Sequence, residues 1–148
     1  GNDWNVSGTY RTDGKEEALE CLGVKPYLWR PEDDIDLEAE GKAALAAATH
    51  VLTLVPPNSD FDLDPVLVNL SSEICECTKK GNLEWLGYIS STGVYGDHQG
   101  QWVDETSELR STVPKSVARV RAEEQWLGLH RENDVPTHVF RQGGIYGP

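Results

Sequence analysis

The residues with the most evident chemistry lie in one short segment, residues 88–96 (YISSTGVYG), at the end of an apolar run. A hydroxyl group can donate a hydrogen bond to a carbonyl oxygen or accept one from an alcohol. Gly93 and Gly96 let the backbone turn sharply and approach a ligand closely. The segment therefore predicts a site for carbonyl or alcohol groups, with a serine-rich turn of no chemical role as the alternative. Its hydroxyl groups belong to Ser90, Ser91, Thr92 and Tyr95.

Alternating strands and helices must position that segment. Apolar and alternating runs predict strands over residues 4–10, 27–29, 51–55, 85–90 and 137–140. Three- and four-residue spacing predicts helices over residues 15–22, 36–48, 65–79 and 114–130. Strands that alternate with helices imply right-handed crossovers, so we expect an α/β fold with a doubly wound parallel sheet. Ligands of such sheets bind at the carboxyl ends of the strands, where the hydroxyl segment begins.

Several residues define the expected limits of these elements. The run at residues 51–55 (VLTLV) predicts a strand buried on both faces, which Pro56 and Pro57 end. Asp36 and Asp64 are expected to cap the helices that follow them. The inner face of the last helix is expected to be apolar, with an interruption at Glu124. It is expected to consist of Val113, Val117, Val120 and Leu127.

Composition narrows the classes of partner. The formal net charge of -12 disfavours nucleic acids and anionic membrane surfaces as partners. No apolar stretch is long enough to span a bilayer. Three cysteines without a paired pattern suit a reducing compartment, so we expect an intracellular location, cytoplasmic or organellar. No metal site is expected, because the acidic residues around His98 are loosely spaced in a loop.

The chain resembles the extended short-chain dehydrogenases, the group that contains sugar-nucleotide epimerases and dehydratases. The resemblance is carried, in the family's order, by residues 5–11, 51–57, 88–96, 103–105 (VDE), 122–126 (AEEQW) and 141–148 (RQGGIYGP). The loop at residues 96–105 (GDHQGQWVDE) is similar to that of an atypical subgroup. The resemblance implies a Rossmann-like NAD(P)-binding domain over residues 1–148, from an epimerase/dehydratase-like oxidoreductase acting on a small carbonyl or alcohol.

The resemblance also gives roles to the hydroxyl groups. Ser91 matches the family's catalytic serine, which orients and polarises the substrate carbonyl, and Thr92 is close enough to substitute for it. Tyr95 resembles a substrate-side tyrosine, with a packing aromatic residue as the alternative. Ser90 is then a residue of the strand, and we place it among the cofactor-binding residues.

The family's acid/base pair, Tyr-x-x-x-Lys, is missing. Residues 114–123 (PKSVARVRAE) contain no tyrosine, and Ser116 and Val120 occupy the two positions. Arg119 is a candidate for the ribose or phosphate contact that the lysine makes, with a solvated helix face as the alternative. Because a serine hydroxyl is a poor acid or base near pH 7, catalysis stays open. The alternative function is a non-catalytic NAD(P)-binding sensor or interaction module.

The cofactor is predicted from the ends of two strands. Arg11 follows the second strand of the family's order, and an arginine there meets the 2′-phosphate of NADP. Asp13 is close enough in sequence to keep NAD possible. By resemblance, Pro56 and Pro57 line the cofactor groove, with a plain strand stop as the alternative.

The family's glycine-rich pyrophosphate turn is also missing from the sequence. We therefore expect an internal fragment, with the first βα unit upstream of Gly1 and the substrate lobe downstream of Pro148. The substrate is an unidentified small molecule. Because related enzymes dimerise through the helices at residues 65–79 and 114–130, a homodimer is possible.

Overall fold

The computed structural model describes residues 4–58 and 64–146, and every pairing between its strands is parallel. The chain divides into two compact units, Gly1–Ala47 and Ala48–Pro148. The last two residues of the motif at residues 141–148 lie outside the described residues. Within the described ranges, no helix is long and apolar enough to cross a membrane.

The first unit is built on a two-stranded parallel sheet. Its elements in chain order are β1 (Val6–Tyr10), α1 (Glu16–Cys21), β2 (Val24–Leu28), a 3₁₀ turn (Pro31–Asp33) and α2 (Ala39–Ala46). Tyr27, Trp29 and Leu37 are its buried apolar residues. The predicted cap at Asp36 is wrong, because α2 begins three residues later, after Glu38, and its start has no side-chain cap.

The second unit contains a three-stranded parallel sheet in the order β3–β4–β5. Two helices, α3 and α4, connect its strands. The sheet's buried side chains include Leu86 and Tyr88, and the Tyr88 ring stacks on Trp126 of α4 at 5.8 Å between centroids. The elements are β3 (His50–Thr53), α3 (Pro65–Lys79), β4 (Trp85–Ser91), a 3₁₀ turn (Thr92–Tyr95), α4 (Pro114–Asn133) and β5 (Thr137–Gln142).

Asp64 ties the two helices together. Its carboxylate accepts hydrogen bonds from the backbone N–H groups of Val66 (2.9 Å) and Leu67 (3.1 Å), which confirms the predicted cap of α3. The other carboxylate oxygen accepts a hydrogen bond from the indole N–H of Trp126 at 3.0 Å. This buried carboxylate therefore fixes the start of α3 against the middle of α4.

Two predictions of burial are wrong. The strand expected over residues 51–55 ends at Thr53, and Leu52 and Leu54 are 53% and 67% exposed. Among the described residues, α3 and α4 pack against the face that carries Leu86 and Tyr88, so the alternate residues of β3 stay open. The buried face of α4 contains Ala118, Ala122, Glu123 and Trp126 instead of the predicted valines. Alanines spaced four apart let the helix approach the sheet closely.

Candidate functional site

Ser91 ends β4 and caps the 3₁₀ turn that follows. Its hydroxyl oxygen accepts a hydrogen bond from the backbone N–H of Gly93 at 3.1 Å. The O–H group can still donate, since the backbone bond uses a lone pair of the oxygen. Ser91 is half-buried, whereas Thr92 beside it is exposed. The turn therefore presents a serine donor at the carboxyl edge of the sheet.

A second serine hydroxyl meets the same turn. A Cβ atom added to Gly93 would lie 3.1 Å from the Ser116 hydroxyl oxygen and 3.4 Å from that of Ser91. Ser116 belongs to the first turn of α4, because the helix begins at Pro114. Two serine hydroxyls, those of Ser91 and Ser116, thus lie beside Gly93.

Tyr95, at the end of the 3₁₀ turn, is held by a buried charge pair. Glu123 of α4 is 3% exposed and accepts hydrogen bonds from two nitrogens of Arg141 of β5, from Nε at 3.1 and 3.3 Å and from Nη2 at 2.8 Å. The remaining nitrogen, Nη1, donates to the Tyr95 hydroxyl at 3.0 Å. The guanidinium carbon also lies 4.9 Å from the centre of the Tyr95 ring. Three elements, the turn, α4 and β5, meet at this cluster.

The cluster sets the direction of the Tyr95 hydroxyl. Hydrogen bonds to Glu123 raise the pKa of Arg141 above its ordinary value, so the guanidinium stays charged and only donates. The Tyr95 oxygen must accept from it, which directs the phenolic proton elsewhere. The Tyr95 hydroxyl is therefore left with its own proton to donate, although its side chain is largely buried.

A pocket opens where the segment after β3 faces the start of α4. Its volume is about 290 Å³, and its lining consists of Pro56, Pro57, Lys115 and Arg119. One Arg119 nitrogen donates to the Ile89 carbonyl of β4 at 3.2 Å. The pocket lies at the carboxyl edge because the two prolines follow β3. Three of the predicted cofactor-binding residues are thus brought together, and Lys115 joins them.

Ser90 lies away from that opening. It is 3% exposed, on the same strand face as Tyr88, and its hydroxyl has no hydrogen-bond partner among the described residues. Burial raises the pKa of Tyr88, helped by the Asp64 charge and opposed by that of Arg119. Tyr88 therefore stays neutral inside the sheet–helix core. Ser91, the next residue along the strand, is the serine that reaches the edge.

Arg11 belongs to the first unit, where it follows β1. Its side chain is 71% exposed, and one guanidinium nitrogen lies 3.7 Å from a Glu32 carboxylate oxygen. An exposed ion pair of this kind contributes little stability. Arg11 is therefore available to a ligand.

The loop after the 3₁₀ turn uses its polar groups locally. The His98 ring pairs with the Glu108 carbonyl through Nε2 at 3.0 Å. Hydrogen bonds from Thr106 and Ser107 lower the pKa of Asp104. In residues 4–58 and 64–146, no group of three or more His, Cys, Asp or Glu side chains is arranged to hold a metal ion. Trp102 is fully exposed.

Gly96 lies where the far end of this loop packs back against the 3₁₀ turn. Its φ is 72°, and a Cβ atom there would lie 2.7 Å from the backbone of Arg110 and of Ser111. The Arg110 N–H donates to the Tyr95 carbonyl at 3.0 Å, which closes the loop. Glycine is therefore required for both reasons, conformation and space.

This α/β fold with parallel strands matches part of the Rossmann-like epimerase structures, and the chain is structurally similar to the NAD-dependent epimerase/dehydratase family over about half of those chains. UDP-glucuronic acid 4-epimerase from Bacillus cereus, solved with NAD, is 21% identical, with a TM-score of 0.72 over 100% of this chain and 51% of that chain. A Pseudomonas aeruginosa protein solved with NADPH is 18% identical, with a TM-score of 0.61 over 97% of this chain and 56% of its own.

Nearer relatives are less informative about activity. A functionally unknown conserved protein from Silicibacter pomeroyi is 40% identical, with a TM-score of 0.79 over 98% of this chain and 46% of that chain. Protein YeeZ of Escherichia coli K12 is 28% identical over 145 residues, which are 98% of this chain and 52% of YeeZ. The chain thus spans about half the length of the curated relatives it matches. No family model matches it.

Proposed function

We propose that this chain is the NAD(P)-binding part of an epimerase/dehydratase-like oxidoreductase that acts on a small carbonyl or alcohol, and that it forms part of a doubly wound Rossmann domain. The supporting observation is the carboxyl edge of the second unit. There the pocket of Pro56, Pro57 and Arg119 and the turn that begins at Ser91 both follow parallel strands. Ligands of parallel α/β sheets bind at this edge.

NADP is the proposed cofactor, with NAD as the alternative. The pocket residues fit a dinucleotide, because the proline rings offer an apolar wall and Arg119 offers charged donors. Arg11 suits a 2′-phosphate, since its guanidinium is exposed. When bound, the cofactor would exchange a hydride with the substrate. The relatives solved with NAD and with NADPH support a dinucleotide without choosing between the two.

The residues of this chain would orient the substrate. The free O–H of Ser91 would donate to the substrate oxygen, and Tyr95, held by Arg141, would offer a second donor. Thr92 is exposed beside Ser91 and is the substitute donor. Ser116 lies next to the same turn but is a poor proton donor near pH 7, so another group would have to move the proton.

The second candidate function is a non-catalytic NAD(P) sensor or interaction module of the same fold. The observation that favours it is the hydroxyl of Ser116 beside the turn, at the position where the resemblance would place the family's catalytic tyrosine. A domain that has lost its acid/base can still bind and report the cofactor.

A homodimer is a further part of the proposal. The groove between α3 and α4 has a volume of about 400 Å³ and includes Ser72, Cys75, Lys79 and Leu129 in its lining. Val68 of α3 is 59% exposed. These outward helix surfaces would meet their copies in the partner. Light scattering of the complete polypeptide should give twice the monomer mass, and a monomer at all concentrations would refute the dimer.

The function is tested with the complete polypeptide that carries these residues. NADPH and NADH are titrated while their fluorescence is followed, and oxidation of each is then measured across a panel of small aldehydes and ketones. We expect tighter binding of NADPH and turnover of at least one carbonyl. Binding without any turnover would favour the sensor, and binding of neither dinucleotide would reject both functions.

Ser91→Ala gives the sharper test of the site. Loss of one positioned donor lowers turnover by roughly a hundredfold or more, whereas dinucleotide affinity should change little. Ser7→Ala, the same change at an exposed position of β1, is the matched control and should leave both unchanged. Equal turnover of the Ser91 variant and the parent would remove Ser91 from the mechanism.

A further inference from the structure

The cations of the pocket at the carboxyl edge stand out in a strongly acidic chain. The net charge is -12, yet half of the four pocket-lining residues are cations and none is a carboxylate. Lys115 and Arg119 are four residues apart on α4, so they lie on the same helix face. The opposite wall consists of Pro56 and Pro57, whose backbones carry no N–H group.

These two cations lack the carboxylate partners that most others have. Arg11, Lys25, Arg30, Lys42, Lys80, Arg110, Arg131 and Arg141 all form ion pairs. In the described part of the chain, Lys115 forms no ion pair or hydrogen bond, and Arg119 bonds to a backbone carbonyl. Neither cation is therefore within ion-pair distance of a carboxylate in the described residues, although the Arg119 charge acts against the raised pKa of the buried Asp64.

Arg119 is also oriented in advance. Its Nη1 donates to the Ile89 carbonyl at 3.2 Å, which holds the guanidinium plane against β4. The other N–H groups keep the fixed fork that matches two oxygens of a phosphate or carboxylate. Lys115 adds a mobile point charge one helical turn away.

From this geometry we propose that Lys115 and Arg119 bind an anionic oxygen group, a phosphate or carboxylate, of the ligand that occupies this pocket. This inference rests on the proposed function, because it concerns the same pocket and adds that the bound ligand must carry an anionic group. The group comes either from the dinucleotide or from an anionic substrate bound beside it, and the recognition chemistry is the same.

Inorganic pyrophosphate is the probe. It is titrated into the isotope-labelled polypeptide while NMR follows the Arg119 Nε–H and Lys115 side-chain signals. Both should shift and saturate together. Lys115→Gln should weaken binding roughly tenfold, the effect of losing one charged hydrogen bond. The control is Lys80→Gln, the same loss of charge at an exposed lysine just after α3, which should leave the affinity unchanged. Equal affinity in both variants, or shifts spread over all exposed cations, would overturn the proposal.

Repeating the titration with saturating NADP⁺ identifies the source of the anion. Competition between pyrophosphate and NADP⁺ supports a cofactor phosphate, whereas simultaneous binding supports an anionic substrate. If pyrophosphate binds the pocket while no dinucleotide binds anywhere, the anion site stands and the proposed function fails. If dinucleotides bind equally to parent, Lys115→Gln and Arg119→Gln proteins and pyrophosphate does not bind, the anion site alone fails.

Discussion

Arg141 and Arg119, two arginines beside the sheet of the second unit, differ in how many of their nitrogens bond within the protein. Arg141 uses all three nitrogens, two on the buried Glu123 carboxylate and one on Tyr95. Arg119 donates one hydrogen bond to a backbone carbonyl, its charge acts on the buried Asp64 and Tyr88, and its side chain lines the pocket. The first arginine completes a closed cluster inside the protein, and the second leaves donors for something outside it.

The difference separates structural charge from ligand-binding charge. Removing one partner of a buried pair leaves the other charge desolvated, which costs more than the pair itself contributes. A half-exposed cation without an anionic partner has no such penalty. The two sites should therefore respond to mutation in opposite ways, Arg141 in stability and Arg119 in binding.

Breaking the closed cluster should have the largest effect. Glu123→Gln keeps the shape of the side chain but removes the charge that faces Arg141, so we expect a loss of about 3 kcal/mol in the free energy of unfolding. Chemical denaturation measures it. Glu124→Gln is the matched control, because Glu124 is the next residue along α4 and its carboxylate pairs with Arg131 at the surface. The control should lose about 0.5 kcal/mol or less, and equal losses would contradict the distinction.

A second, smaller effect is expected at Asp64. Asp64→Asn keeps an oxygen for the cap but loses a charged acceptor for the Trp126 indole, a cost of about 1–2 kcal/mol. Exposed Asp134, changed to Asn, is the control and should lose almost nothing.

The difference in unfolding free energy between the parent and Asp64→Asn should also depend on pH. Burial raises the pKa of this carboxyl above its ordinary value of 3.8 in the folded state. Its ionised form is then less favourable in the folded than in the unfolded chain, so the unfolding free energy falls as pH rises from 3.8 through the raised pKa. The asparagine of Asp64→Asn has no carboxyl group to titrate. The excess unfolding free energy of the parent over this variant should therefore shrink as pH rises from 3.8 through the raised pKa of Asp64. An advantage that widens with pH would show that the hydrogen bonds outweigh burial.

The smallest effect on stability is expected at the pocket. Arg119→Gln removes one hydrogen bond to the Ile89 carbonyl and should cost about 1 kcal/mol or less. Arg141→Gln leaves Glu123 buried without its partner and should cost about 3 kcal/mol. Thermal or chemical unfolding of both variants compares them directly. A larger loss for Arg119→Gln would mean that this arginine, too, is structural.

Local patterns predicted much of the fold correctly. The helix at Pro65 to Lys79 has both its limits as expected, because an apolar repeat, a proline and a capping aspartate all agree on them. The face of α4 was predicted wrongly, because hydrophobicity favoured its valines over Ala118 and Ala122. Burial there depends on how closely the helix can approach the sheet, which a single sequence does not encode locally.

The site was predictable to a lesser degree. Pro56, Pro57 and Arg119 are distant in sequence, and the structure gathers them in one pocket. The role of Glu123 was missed, since a carboxylate in a helix pattern is usually solvated. A possible signal was Arg141 in a neighbouring parallel strand, but pairing them requires knowledge of the strand order.

The most direct test of the central claim is a crystal structure of the complete polypeptide with NADP⁺. We expect the nicotinamide half to lie against Pro56 and Pro57 in contact with Arg119, with the nicotinamide ring facing Ser91. A dinucleotide bound elsewhere, with this pocket empty, would contradict it.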